Sequence, residues 1–288
     1  MAARFDTRAL DQILQTALKV AGVPGLALAV ATLEETYAQG YGIKAARGTD
    51  AVTAETLFAC ASVTKPFTAT TIALLVDKGK LSWDEPVRHY LPDFRLSDPV
   101  ADSQVTLRDL VTHRTGLPKH DYLWYRSAYS RQEVLRRIGH VKHTEPFRTK
   151  LQYQNIGFMV AGEVVRAVSG ADSFESFLQA ELLSPLGMTR SNLSTVMAEA
   201  DPDHTESHLR RNGKVQQVAW QNFDTVAACG GLNSCATDMA TWLQFHLNQG
   251  KTRKGDQLLS PAALQETYRP QTIISASPGQ VDMACCLA

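Results

Sequence analysis

The run from Ser62 to Gly79 constrains the fold more than any other stretch of this chain. Apolar residues and good helix formers fill it, which predicts a buried helix with Gly79 as its C-terminal cap. Pro66 limits where this helix begins, because proline is tolerated in the first turn but costs roughly 3 kcal/mol in a helix interior. The helix is therefore predicted to begin near Ser62, with Lys65 one turn later on the same face.

The tetrapeptide Ser62-Val63-Thr64-Lys65 has two interpretations. A hydroxyl at a helix N-terminus lies beside free N–H groups and the positive end of the helix dipole, and a lysine one turn later can accept its proton. These features are typical of an activated serine nucleophile. A serine before an apolar helix is also commonly a plain N-cap, and so short a motif arises often by chance. The rest of the chain has to decide between them.

Length, charge and cysteine content exclude several classes of protein. The chain has 288 residues, enough for one large domain or two closely packed ones. Basic and acidic residues number 29 each, so nucleic acid is not an expected partner. No signal-peptide core and no run of ~20 apolar residues is found, so no membrane partner is expected. The five cysteines, two of them adjacent, do not suggest a disulfide framework. A cytoplasmic location is predicted.

The first eighty residues predict an α/β arrangement. Apolar residues recur at helical spacing after Asp6, which indicates an opening helix. The apolar run Gly25 to Thr32 and the aromatic-containing run Thr36 to Gly42 then predict a hairpin of two strands. These elements and the Ser62 helix make up a predicted first part, residues 1–80, of a single domain that spans residues 1–288.

The remaining chain is predicted to be mainly helical from residue 81 to residue 270. It shows little strand-like alternation, and Thr106 with Asp109 and Ser130 with Glu133 have the spacing of capping boxes. Residues 271–288 carry no clear pattern, so an irregular tail is predicted there.

A second group of polar residues lies about 90 residues after Ser62. Tyr153 and Asn155 stand two apart, directly before an apolar helical run, so both side chains can address one pocket. A tyrosine near a lysine can shuttle a proton, and an amide can bind a lysine or a substrate carbonyl. A half-buried tyrosine beside a turn asparagine is the simpler alternative when this pair is considered alone.

Taken together, the Ser-x-x-Lys and Tyr-x-Asn motifs resemble those of the serine β-lactamase and penicillin-binding-protein superfamily. The likeness points to its class C β-lactamase-related branch of esterases, D-aminopeptidases, D-alanyl-D-alanine carboxypeptidases and acyltransferases, and covers roughly residues 10 to 265. Further landmarks of that branch occur in its order: Thr56-Leu57-Phe58, His113-Arg114-Thr115-Gly116-Leu117-Pro118, Pro185-Leu186-Gly187-Met188, Gly230-Gly231-Leu232-Asn233-Ser234, Asp238 and Trp242-Leu243. The resemblance implies an α+β, β-lactamase/transpeptidase-like fold, in which helices flank an antiparallel sheet and accompany a helical region.

The resemblance also implies roles for the four polar residues. Ser62 would attack an ester, thioester or amide carbonyl of a small molecule to form an acyl-enzyme, and its backbone N–H would supply half of an oxyanion hole. Lys65 and Tyr153 would share the general-base and general-acid work, and Asn155 would orient Lys65 and the substrate. Neither a cofactor nor a metal is implied, and hydrolysis and acyl transfer both stay open.

The chain departs from the family pattern at a third motif, Lys or His, then Thr, Ser or Gly, then Gly. Lys251-Thr252-Arg253 and His204-Thr205-Glu206 both lack the glycine. The last sheet strands, which carry this motif, are therefore predicted to be missing from a chain truncated at its C-terminus. A sheet edge would be unpaired and apolar helix surface exposed, at ~25 cal/mol per Å². Low stability and weak activity are expected.

Several alternatives accompany this expectation. One is a catalytically impaired or inactive family member that acts as a scaffold. Another is a D-alanyl-D-alanine carboxypeptidase or β-lactamase, which the absence of an export signal disfavours because their substrates lie outside the cytoplasm. His204 and His208 stand four apart, but a metal site there is disfavoured because their segment resembles a loop. Aromatic residues after Pro118 suit either an acyl-pocket wall or simple packing: Tyr122, Trp124, Tyr125 and Tyr129.

Overall fold

The computed structural model describes residues 5–274 and 283–287. Its α-helices are α1 (Thr7–Ala21), α2 (Thr64–Asp77), α3 (Val87–Tyr90), α4 (Pro99–Gln104), α5 (Leu107–Val111), α6 (Arg131–Ile138), α7 (Asn155–Ser169), α8 (Phe174–Leu178), α9 (Ser184–Leu186), α10 (Thr195–Ala200), α11 (Ala227–Gly230), α12 (Ala236–Leu247) and α13 (Pro261–Tyr268). A π-helical turn covers Gln179–Leu183, and 3-10 turns cover Ala61–Val63, Asp121–Leu123 and Asp224–Val226. Among the described residues, none of the helices combines the length and apolar character needed to cross a bilayer.

The strands of the described residues form antiparallel pairs. They are β1 (Gly25–Ala31), β2 (Thr36–Gly42), β3 (Phe58–Ala59), β4 (Ser207–Arg211), β5 (Lys214–Val218), β6 (Asn233–Ser234), β7 (Thr272–Ile274) and β8 (Met283–Cys285). The pairs are β1 with β2, β3 with β6, β4 with β5, and β7 with β8. The chain folds into two compact units. The first comprises Met1–Cys60, Leu183–Asn222 and Leu232–Gln257, and the second comprises Ala61–Leu182, Phe223–Gly231 and Leu258–Ala288.

The first unit is built on the β1–β2 hairpin. Its register pairs Gly25 with Gly42 and Ala31 with Thr36. Helix α12 packs against both strands, and the carboxylate of Asp11 on α1 accepts a hydrogen bond of 2.6 Å from the hydroxyl of Tyr41 on β2. All seven residues of β1 are only half-buried, although most are apolar. Within the described residues β1 pairs with β2 alone, so its other edge carries unpaired backbone groups.

The second unit is built on α2 and α7, which pack against each other and against α11. Helix α2 is buried over nearly its whole length because its apolar side chains point in every direction. Full burial of one such side chain, Phe67 or Leu74, contributes roughly 1.5–3 kcal/mol. Gly162 on α7 permits the close approach of α11, since a Cβ there would lie 2.8 Å from the Cβ of Ala228. This packing fixes the neighbours of the N-terminal turns of α2 and α7.

The predicted α+β class is confirmed, since helices accompany small antiparallel sheets. The predicted opening helix, hairpin and Ser62 helix all form, although the last of these begins as a 3-10 turn, Ala61–Val63, before α2. The single domain over residues 1–288 and the C-terminal truncation stay predictions.

Two local features were not predicted from the sequence. The region 81–270, predicted to be mainly helical, also contains a hairpin of β4 and β5. Its residues are largely exposed on both faces, so no apolar alternation marks it, and the Asn212-Gly213 turn was its one sequence signal. Both turn residues have positive φ, 50° and 75°. The tail 271–288 is not irregular throughout, because β7 and β8 pair within it, while residues 275–282 and 288 lie outside the described residues.

Candidate active site

Ser62 lies on the 3-10 turn that leads into α2, and its side chain is exposed. The turn is strained, since its first residue, Ala61, has a φ of 45°, a left-handed conformation that is uncommon for residues other than glycine. The serine hydroxyl is within hydrogen-bond distance of two groups. Its Oγ lies 3.0 Å from Nζ of Lys65 and 2.7 Å from the hydroxyl of Tyr153.

Lys65 is buried, with 7% of its surface exposed, and its Nζ contacts three acceptors. These are Oγ of Ser62 at 3.0 Å, Oδ1 of Asn155 at 3.0 Å and the carbonyl oxygen of Cys229 at 3.1 Å. An ammonium has three N–H donors, so each has a partner. The desolvation cost of burying the charge is thus offset by hydrogen bonds that also hold the side chain in place.

Tyr153 and Asn155 flank Gln154, whose side chain caps α7 by accepting from the N–H of Gly157. The cap places Asn155 in the first helical turn, buried, and leaves Tyr153 outside the helix with 39% of its surface exposed. Nζ of Lys65 lies 4.8 Å from the centre of the Tyr153 ring. The structure therefore brings together the four residues that the sequence singled out as candidates.

Asp121 is a fifth polar residue of the candidate site, and it was not predicted from the sequence. Its Oδ1 accepts from Nδ2 of Asn155 and from the indole Nε1 of Trp124, both at 3.0 Å. Its Oδ2 lies 3.3 Å from Nζ of the exposed Lys119. The sequence around it signals only a loop with aromatic residues, and its partner Asn155 is 34 residues away.

His113 is a sixth residue whose role sequence reasoning did not identify, although it belongs to a family landmark. Its backbone is left-handed, with a φ of 59°, and its buried ring lies 4.5 Å from the Tyr153 ring, centre to centre. Its Nδ1 accepts from the backbone N–H of Gln154 at 3.2 Å. Burial and the nearby charge of Lys65 lower the pKa of His113 to about 4. The ring thus packs beside Tyr153 as a neutral group.

His113 is expected to stay neutral from about pH 5 to about pH 8, because its protonation would bury a second cation near Lys65. The measurement is an NMR pH titration of the imidazole, assigned with a His113→Gln variant. Since the folded pKa lies below the unfolded value of 6.5, the unfolded chain binds the proton first as the pH falls, and stability decreases from about pH 6.5 towards pH 4. A titration of His113 near pH 6.5 would contradict this.

The other residues weighed from the sequence have structural contacts. His204 Nδ1 contacts the carbonyl oxygen of Asp201, and His208 Nε2 accepts from the N–H of Ala46 at 3.0 Å. Within residues 5–274 and 283–287, no three His, Cys, Asp or Glu side chains are grouped so as to hold a metal ion. Of the aromatic residues after Pro118, Trp124 is buried whereas Tyr122, Tyr125 and Tyr129 are exposed.

The geometry defines a class of site. A serine at the start of a buried helix, hydrogen-bonded to a lysine and a tyrosine, is the arrangement of serine hydrolases that use lysine in place of the histidine of a catalytic triad. A model of the Beta-lactamase family matches residues 10–277. The chain belongs to this family, whose members are serine hydrolases.

Similar proteins agree with this assignment and confirm the predicted β-lactamase/transpeptidase-like fold. The chain is 30% identical to an unguisins hydrolase of Aspergillus campestris, over 87% of this chain and 48% of that protein. It is 30% identical to penicillin-binding protein 4 of Amycolatopsis lactamdurans, over 84% of this chain and 64% of that protein. The fold matches a class C β-lactamase mutant with a TM-score of 0.77 and 24% identity, over 93% of this chain and 72% of that chain. The chain spans about half the length of the unguisins hydrolases it matches.

Proposed function

We propose that this chain is a serine hydrolase that cleaves an ester, thioester or amide of a small molecule through an acyl-enzyme on Ser62. One observation carries the proposal: the Ser62 hydroxyl is within hydrogen-bond distance of both Lys65, at 3.0 Å, and Tyr153, at 2.7 Å. A serine hydroxyl is a weak nucleophile until a neighbouring base takes its proton, and here two candidate proton carriers contact it.

The proton can move without any rearrangement of heavy atoms. As a neutral amine, Lys65 would donate to the two carbonyl oxygens of Asn155 and Cys229 and accept the Ser62 proton with its lone pair. As an ammonium, it would donate to all three oxygens while the Ser62 hydroxyl donates to a Tyr153 phenolate. Both states satisfy every donor, so Lys65 and Tyr153 are proposed to act as one coupled base.

The reaction proposed has two stages. Oγ of Ser62 attacks the carbonyl carbon, and its proton passes to the coupled Lys65 and Tyr153. The tetrahedral intermediate then reforms the carbonyl as its bond to the leaving group breaks. The departing oxygen, sulfur or nitrogen takes that proton. Water then attacks the acyl carbon and gives a proton to the coupled Lys65 and Tyr153. They return a proton to Oγ of Ser62 as its bond to the acyl group breaks, and the acid is released. The N–H of Ser62 is proposed as one oxyanion donor, and Asn155 as a group that orients Lys65 and the substrate carbonyl.

Hydrolysis is favoured over acyl transfer, because a relative over most of this chain is named a hydrolase and because Ser62 is exposed to water. A peptidase or β-lactamase activity is the second candidate, since penicillin-binding protein 4 is also similar over most of the chain. Acylation of Ser62 by a fluorescent penicillin separates this candidate from an esterase. No cofactor enters the proposal. A cytoplasmic location is included because Cys60, Cys229 and Cys235 are free thiols.

Tyr153→Phe is expected to lower the turnover of p-nitrophenyl butyrate by about 10²–10³-fold, because it removes one of the two proton carriers on Ser62. The ring and its packing against His113 remain, so thermal unfolding is expected at an unchanged temperature. Tyr268→Phe is the matched control, since it removes a phenol hydroxyl from a similarly exposed ring on α13. Equal loss of turnover in both variants would refute the role given to Tyr153.

A further inference from the structure

We propose that Asp121 is a positioning residue that acts through Asn155, by holding the amide in the one orientation that serves Lys65. The proposal rests on the proposed function, in which Lys65 and Tyr153 activate Ser62. Asp121 Oδ1 accepts from Nδ2 of Asn155 at 3.0 Å, and the other end of the same amide, Oδ1, accepts from Nζ of Lys65 at 3.0 Å. The amide therefore lies between an anion and a cation.

The amide of an asparagine has two nearly isosteric orientations, and only one of them suits this site. With Oδ1 towards Lys65, the lysine has three acceptors and Asn155 makes a good hydrogen bond at each end. With the amide reversed, its N–H₂ would face the lysine donors and its oxygen would face a carboxylate, so both contacts would become repulsive. Asp121 thus disfavours the reversed amide orientation, because its carboxylate would then face the amide oxygen of Asn155.

Asp121 is itself held in place, which a positioning residue requires. The indole Nε1 of Trp124 donates to the same Oδ1 that accepts from Asn155, and the Trp124 ring is buried. The ring packs against Phe223, with ring centres 5.4 Å apart and planes tilted by 34°. Both donors converge on one oxygen, so its position is defined independently of the exposed Lys119, which contacts the outer oxygen Oδ2.

The test compares Asp121→Ala and Asp121→Asn in the rate of covalent labelling by a fluorophosphonate. Asp121→Ala is expected to lower the maximal labelling rate about tenfold, with probe affinity unchanged, because the amide can reverse and Lys65 loses an acceptor. Asp121→Asn is expected to stay within about threefold of wild type, because the Trp124 and Asn155 donors orient its carbonyl oxygen towards themselves. Lys119→Ala, which removes only the contact to Oδ2, is the control expected to match wild type.

A double-mutant cycle separates positioning from a purely structural role. In an Asn155→Ala background, Asp121→Ala should have no further effect on the labelling rate, because its action passes through the missing amide. An equal additional loss in that background would overturn the proposal, and so would an Asp121→Ala enzyme that labels at the wild-type rate.

A measurement that does not depend on the reactivity of Ser62 tests the role of Asp121 separately from the proposed function. The side-chain amide protons of Asn155, followed by NMR, are expected to exchange slowly with solvent in wild type and in Asp121→Asn, and faster in Asp121→Ala. If wild type does not label, the proposed function fails while this comparison still decides the role of Asp121. Equal exchange in all three proteins would overturn the role.

Discussion

Ser62→Ala is expected to lower covalent labelling by a fluorophosphonate at least about 10³-fold, because it removes the atom that would form the acyl or phosphonyl bond. Mass spectrometry of the labelled wild-type chain should place the adduct on the peptide that contains Ser62. A labelling assay suits this protein because it requires one chemical step only, and therefore reports on the serine even where complete turnover is slow.

The variant should fold as the wild type does. The Ser62 side chain is exposed, and its Oγ contacts Lys65 and Tyr153 without capping α2, whose N-cap residue makes no side-chain hydrogen bond. Ser103→Ala is a matched control, since Ser103 is another exposed serine and bonds the carbonyl oxygen of Pro99 on its own helix. A folded wild type that does not label would favour the inactive scaffold, and equal labelling of Ser62→Ala would exclude Ser62 as the nucleophile.

Local sequence signals predicted the elements that carry the candidate site. Pro66 and the apolar run after it placed the start of α2, and the register of Tyr153 and Asn155 before a second apolar run placed the start of α7. Both predictions depend on residues within a turn or two of each other. The fold class could be predicted because the sequence landmarks of the family occur along the chain in the family's order.

The residues that sequence reasoning missed depend on contacts between distant segments. His113 meets Gln154 across 41 residues and Asp121 meets Asn155 across 34. Neither has a local pattern that distinguishes a site residue from an ordinary loop residue. The carbonyl of Cys229 is harder still to foresee, because a backbone acceptor has no side-chain signature and lies 164 residues from Lys65. Such partners become visible only when helix packing is known.

Asp109→Asn is expected to destabilise the fold by about 3–5 kcal/mol, because it removes one side of a buried ion pair and leaves the opposite charges uncompensated. The Asp109 side chain is fully buried. It accepts from Nε of Arg114 at 2.5 Å, from Nε and Nη2 of Arg148 at 2.9 and 2.8 Å, and from the N–H of Thr106 at 3.0 Å. Chemical unfolding of both proteins at neutral pH measures the difference.

Asp84→Asn is the matched control for the effect of burial. Asp84 also pairs with an arginine, Arg108, but 65% of its side chain is exposed, and exposed pairs contribute only about 0.2–1 kcal/mol. The two variants make the same chemical change to an aspartate bonded to arginine. A similar loss in both would show that burial does not determine the cost here.

The ionisation of Asp109 also makes the free energy of unfolding depend on pH. Burial alone would raise the pKa of Asp109, but hydrogen bonds from Arg148 and the charge of Arg114 outweigh it, so its pKa lies below the usual 3.8. Its contribution is therefore complete above pH 3.8 and is lost as the pH falls further through the folded pKa. In Asp109→Asn this acid-dependent part of the unfolding free energy should be absent.

The arginines that bond to Asp109 belong to two backbone segments, and these segments hydrogen-bond to each other close to Tyr153. Arg148 N–H donates to the carbonyl of Arg114 at 2.8 Å, and Gln152 N–H donates to the carbonyl of His113 at 2.7 Å. Loss of the carboxylate is thus expected to loosen the segment that presents Tyr153 to Ser62, and to lower the fluorophosphonate labelling rate even where Asp109→Asn is still folded. An unchanged labelling rate in the folded variant would show that α7 alone positions Tyr153, because its N-cap Gln154 would then suffice.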